Sequence, residues 1–143
     1  MLLRLLIVIF FNLLCGAALV AGALPLVDPT DFRDVFFETQ QPVDARDLDP
    51  PSAELGEALD TLKHMPKVRV FISGFADRGE GSDEECQKIS ERRALLVYDW
   101  LLAHGIKATQ LAGHTGFGAS RPIDFSDTET HRRHNRRVEL NVQ

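Results

Sequence analysis

The hydrophobic positions change period several times along the chain, and each change marks an element. In "VRVFIS", residues 68–73, Val68, Val70 and Ile72 alternate with Arg69, Phe71 and Ser73 until Gly74 ends the run. A period of two with apolar groups on both sides predicts a central strand. "NRRVELNVQ" alternates Val138, Leu140 and Val142 with Glu139, Asn141 and Gln143, which predicts a last strand with one polar face. "DVFFE", around Val35, Phe36 and Phe37, and "LAGHTGFG" predict two shorter strands, the second running into a glycine turn.

Between the strands the period lengthens to that of a helix. Leu55, Ala58, Leu59 and Leu62 fall at i, i+3, i+4 and i+7, with Ser52 as a cap and Pro66 as a stop. A longer helix opens at "SDEE", where Ser82 and Glu85 match a capping box, and runs to His104 before Gly105. A short helix is expected from Thr128 to His134, and "SRPIDF" before it reads as loop. This alternation predicts an α/β sandwich, with helices packed on one face of a small mixed sheet.

The first residues stand apart. Met1 and Arg4 precede an almost wholly apolar run, and Ala21-Gly22-Ala23 has the small-x-small form of a leader cleavage site. Residues 1–23 are read as a signal peptide, or as an uncleaved N-terminal anchor, because Leu5 to Leu24 spans about 20 residues, enough to cross a bilayer. Acylation at Cys15 is a third fate, disfavoured by Leu14 where lipoprotein processing wants a small residue. Residues 24–34 form a linker and residues 35–143 the folded domain.

Charge and cysteines narrow the classes of function. Residues 28–60 carry ten acids against two arginines, whereas residues 61–143 carry thirteen Lys and Arg against eleven acids. No broad basic face results, so nucleic acid is not an expected partner. With Cys15 in the leader, a cleaved chain keeps Cys86 alone and forms no internal disulfide. His131 and His134 in "HRRH" lie about one helical turn apart, but no third ligand of the right type adjoins them, and no metal site is predicted. "GEGSDE" and "GFGASR" lack the third glycine of a dinucleotide loop, neither continues as a P-loop, "DRGEGSDEE" lacks the ligand pattern of an EF-hand, and no nucleophile elbow is present. No cofactor is expected.

Two charged residues draw attention. On a wheel at about 100° per residue, Arg93 lies in the middle of the apolar stripe made by Cys86, Ile89, Leu96, Val97 and Trp100, while Arg92 lies on its margin. An arginine pointing into a protein keeps its proton and must meet acceptors. It is therefore either an internal salt bridge or a guanidinium on the floor of a pocket, and periodicity leaves the two open. Asp77 follows the carboxyl end of a strand, where open α/β sheets commonly bind ligands, but composition alone favours an aspartate that organises a glycine-rich turn.

"VRVFISGFADRG", "ISERRALLVYDWLLAHGI", "GFGASRPI" and "NRRVELNV", in this order, resemble the OmpA-like peptidoglycan-binding domain shared by outer-membrane porins, peptidoglycan-associated lipoproteins and flagellar stator proteins. The resemblance covers roughly residues 35–143 and implies a βαβαβ(α)β fold. It also implies that Asp77 and Arg93 hold the diaminopimelate of a peptidoglycan stem peptide, with Arg136 as a further contact. An ammonium and a carboxylate on one carbon would suit an acid and a guanidinium. Arg132, Arg133 and Arg137 are then expected in solvent. Two departures stand out: Cys86 occupies the place of a usual asparagine, and the loop "RGEGSDEE" is one residue longer than usual.

The expected function is non-enzymatic binding of peptidoglycan that tethers an envelope component to the wall. The expected location is the periplasm or outer membrane of a Gram-negative-type bacterium, with membrane contact through an uncleaved leader or with other envelope proteins as further partners. Two alternatives are an interaction domain of the same family without wall binding, and a wall-processing enzyme using Asp77 with His114 or Glu80.

Overall fold

Four strands make one mixed sheet in a computed structural model of the chain, which describes residues 31–42 and 44–143. Residues 1–23, read from the sequence as a signal peptide or anchor, and Cys15 among them, lie outside the described residues. The elements are β1 (Val35–Phe36), α1 (Ala53–His64), β2 (Val70–Gly74), α2 (Asp83–Ala103), β3 (Leu111–Gly116), α3 (Glu129–Asn135) and β4 (Arg137–Val142), with short 3-10 turns between some of them. The strand order is β1-β4-β2-β3. β3 runs parallel to β2, and β4 runs antiparallel to both β1 and β2. β4, last in sequence, thus lies beside the first two strands.

The helix boundaries follow from their caps. Ser52 Oγ accepts the N–H of Leu55 at 3.2 Å, and Ser82 with Glu85 forms the reciprocal capping box that starts α2. Acids at Asp83, Glu84 and Glu85 complement the positive end of that helix. α2 stops at Ala103, and Gly105 beyond it takes φ 94°, a conformation glycine adopts without strain.

The two long helices and the sheet share one core. Leu55, Ala58 and Leu62 of α1 and Val97, Trp100 and Leu101 of α2 pack with Val70, Ile72, Val138 and Leu140 of the sheet. Burying each leucine of this set contributes about 1.5–3 kcal/mol. β2 begins two residues later than the alternation predicts, because Val68 gives its N–H to Met65 in a turn at 3.0 Å instead of joining the ladder. Val142, the third apolar residue expected on the inner side of β4, is 45% exposed at the strand end.

Two glycines set how closely α2 can lie on the sheet. Gly74 and Gly116 are paired across β2 and β3. A Cβ on Gly74 would stand 2.0 Å from the backbone oxygen of Ser90, and one on Gly116 would stand 2.4 Å from Ser90 Oγ. Helix backbone therefore meets strand backbone directly at the carboxyl end of β2. That contact fixes α2 beside the loop that carries Asp77.

Candidate functional site

Asp77 leaves the end of β2 and caps a 3-10 turn, Arg78–Glu80. Its Oδ1 accepts the N–H of Gly79 at 2.8 Å, and Oδ2 accepts Nδ2 of Asn135 at 3.1 Å. Both oxygens are engaged, yet the residue still borders a cavity of about 230 Å³ lined by Asp77, Arg78, Asp124, Phe125, Arg132 and Asn135, among others. An ionised carboxylate accepts at about four lone-pair sites, so these two hydrogen bonds leave acceptor capacity for a ligand donor.

Arg93 lies behind this cavity and not on its wall. Its side chain is fully buried in the centre of the apolar stripe, as the wheel predicts, whereas Arg92 is exposed. Nη1 and Nη2 meet Glu80 Oε2 and Oε1, each at 2.7 Å, in a two-pronged ion pair. Nη1 also donates to the carbonyl of Phe75 at 3.0 Å, Nη2 to Glu38 at 3.2 Å and Nε to Gln41 at 2.6 Å. A guanidinium has five N–H groups, and these five contacts use them all. Of the two arrangements left open by the sequence, the internal salt bridge is the one adopted in this structure.

Glu80 is equally committed. Besides Arg93 it accepts the N–H of Asp77 at 3.1 Å and that of Gln40 at 2.8 Å, while its carbonyl takes Gln40 Nε2 at 2.7 Å. The loop "RGEGSDEE" therefore carries an internal counter-ion for Arg93. His114 lies away from the cavity, with Nδ1 3.0 Å from Glu91 Oε1 and its ring edge-on to Tyr98.

Arg136 is 1% exposed, donating from Nε to the carbonyl of Phe37 at 3.0 Å and from Nη2 to Glu129. The hydrogen bond from Arg136 holds the Glu129 carboxyl below its ordinary range. Arg137, expected in solvent, is 2% exposed: its guanidinium lies 3.9 Å from the centre of the Phe75 ring and donates to Glu139 Oε1 at 2.6 Å. The aromatic face and the β4 acid account for a burial that the polar run "HRRHNRR" does not suggest.

Besides the exposed Arg78, Arg132 borders the cavity. It is half-buried, pairs with Asp127 at 2.9 Å through Nη1, and its Cδ covers the face of Gly79 next to Asp77. The polar run around it predicts a solvated side chain, and a position on a short helix gives no signal to the contrary. Asn135 was also missed. It is buried, and besides Asp77 it holds the backbone of Ile123 and Asp124, at 2.9 and 3.0 Å through Oδ1.

Cys86 is buried under the same loop. Its thiol donates toward the carbonyl oxygens of Asp77 at 3.3 Å and Gly81 at 3.6 Å, so it supports the loop from below. Burial, followed by the charges of Glu80 and Asp83, pushes the thiol up from its ordinary pKa.

Comparison with known proteins agrees with this fold. The peptidoglycan-binding protein ArfA of Mycobacterium tuberculosis is 38% identical over 88 residues, covering 62% of this chain and 26% of that protein. Outer membrane porin F of Pseudomonas aeruginosa is 35% identical over 92 residues, covering 64% of this chain and 26% of the porin. The chain thus spans about a quarter of the length of these curated relatives. The crystal structure of the peptidoglycan-associated lipoprotein from Burkholderia pseudomallei superposes with a TM-score of 0.66 at 26% identity, covering 84% of this chain and all of that one. The OmpA family model matches residues 42–136, and the chain belongs to the OmpA family.

Proposed function

We propose that this chain is a non-enzymatic module that associates with peptidoglycan and holds an envelope component to the wall. The observation that carries the reading is a nearly buried carboxylate, Asp77, on the wall of a cavity at the carboxyl end of β2, in a chain whose relatives include a peptidoglycan-binding protein and a peptidoglycan-associated lipoprotein. A stem-peptide residue such as diaminopimelate carries an ammonium and a carboxylate on one carbon. Asp77 takes the ammonium, and Arg132, the half-buried one of the two arginines that border the same cavity, takes the carboxylate. Arg93 and Arg136 act from behind as positioning residues, and either reaches the ligand only if Glu80 or Glu129 releases it.

A pull-down with purified diaminopimelate-type sacculi tests this. Wild type sediments with the sacculi, and Asp77→Asn, which keeps the hydrogen bond to Gly79 but loses the charge, stays in the supernatant while melting as a folded protein. Equal sedimentation of the two overturns the assignment of Asp77.

A second reading is an interaction domain of the OmpA family without wall binding. The specific observation that favours it is the complete use of the Arg93 donors by internal acceptors. Wild-type protein that fails to sediment with sacculi, yet captures another envelope protein, selects this reading.

A further inference from the structure

The two histidines of "HRRH" acquire a third partner in the folded chain. Asp124, seven residues before His131, is brought by the loop between β3 and α3 to the face of α3 that carries both imidazoles. Nδ1 of His134 lies 3.2 Å from Oδ2 of Asp124, and Nδ1 of His131 meets the same oxygen. The three ligand atoms lie within 4.8 Å of one another. A tetrahedral zinc site with bonds of about 2.0–2.1 Å places its ligand atoms about 3.3 Å apart, so small rotations of these side chains would bring them to ligating distance.

We propose that Asp124, His131 and His134 form a binding site for a divalent transition metal, with Zn²⁺ as its ion. Two imidazole nitrogens and one carboxylate oxygen suit zinc better than calcium or magnesium, which take oxygen ligands almost exclusively. Three protein ligands leave a coordination position for water or an incoming donor.

The surrounding contacts orient the ligands. The N–H of Ser126 donates to Oδ1 of Asp124 at 3.1 Å and so leaves Oδ2 turned to the imidazoles. Asn135 fixes the Asp124 backbone at both ends, accepting its N–H at 3.0 Å and donating to its carbonyl at 2.8 Å. The Phe36 ring lies 5.9 Å from that of His134 and limits its rotation. Such outer contacts hold metal ligands in their binding orientation. Because Asp124 also lines the cavity beside Asp77, a bound ion would tie the cavity's outer loop to α3. The inference does not depend on wall binding.

Isothermal titration of the tag-free full chain with ZnCl₂ in a non-chelating buffer tests the proposal. The expected result is one Zn²⁺ per chain, with His131→Ala and His134→Ala each weakening binding by at least about tenfold. The exposed His64, away from the cluster, serves as the control, and His64→Ala binds as wild type. Co²⁺ in place of Zn²⁺ gives the visible absorption of a tetrahedral site in wild type and loses it in both cluster variants. Absence of one-to-one binding, or unchanged binding in both cluster variants, overturns the site.

Discussion

The carboxylate of Glu80 meets the guanidinium of Arg93 through two parallel hydrogen bonds of 2.7 Å, and both side chains are shielded from solvent. This pair ties the Asp77 turn to α2, and Gln40 extends the tie to the segment after β1. An arginine that the sequence marks as exceptional is thereby a joint between three parts of the chain.

Removing one partner leaves the other charge buried alone. Glu80→Ala is expected to cost about 3–5 kcal/mol of stability, measured by urea unfolding. Glu80→Gln, which retains one acceptor, is expected to cost less. The same Glu80→Gln variant separates two modes of ligand recognition. If a ligand carboxylate must displace Glu80 from Arg93, the variant sediments more strongly with sacculi. If Arg132 receives that carboxylate, Arg132→Gln abolishes sedimentation and Glu80→Gln does not strengthen it.

The close approach of α2 to the sheet leaves no room for a methyl group at Gly74 or Gly116. Gly74→Ala and Gly116→Ala are each expected to destabilise the fold by more than about 2 kcal/mol, since the obstacles include rigid backbone. Thermal melts check this. The control is Gly56→Ala in α1, where a Cβ meets nothing within 4 Å, and it is expected to leave the melting temperature unchanged or raise it.

Cys86 is expected to be a slow thiol in the native state. Burial and neighbouring acids raise its pKa, so at pH 8 a disulfide reagent labels it at least about tenfold faster in urea than in buffer. A raised folded pKa also fixes the sign of the alkaline effect. As pH passes the ordinary thiol range, the unfolded chain loses the proton first and stability falls. Cys86→Ser, whose hydroxyl does not ionise there, shows a shallower fall above pH 9.

Asp34 carries the opposite opportunity. Partial burial, followed by the charge of Glu139, raises its pKa despite Arg137 at 3.6 Å. Ionised Asp34 therefore weakens the folded state, and its relative contribution improves as pH falls through the folded pKa. Asp34→Asn is expected to melt higher than wild type at pH 7, and the difference to close below the ordinary value of 3.8.

The order of elements was legible because each carries its own local signal. Alternation at Val70 and Ile72, helical spacing from Leu55 to Leu62, and the Ser82–Glu85 capping box depend on neighbours within a few residues, and all appear in the fold. The four spaced motifs likewise led to the right family. The burial of Arg93 followed from the wheel for the same reason.

What fills the space around Arg93 was not legible. Glu38, Gln41, Phe75 and Glu80 come from three separate segments, and nothing in the local pattern says that Glu80 turns inward while Arg78 and Gly79 remain exposed. Arg132 at the cavity, Arg137 over Phe75 and Asp124 against His131 and His134 are long-range meetings of the same kind. The sequence by itself determined the apolar faces of the two long helices and of β2, because periodicity is a property of one element. The tertiary structure alone decided which charge meets which, because the pairing of buried ions depends on loops that bring distant segments within hydrogen-bond reach.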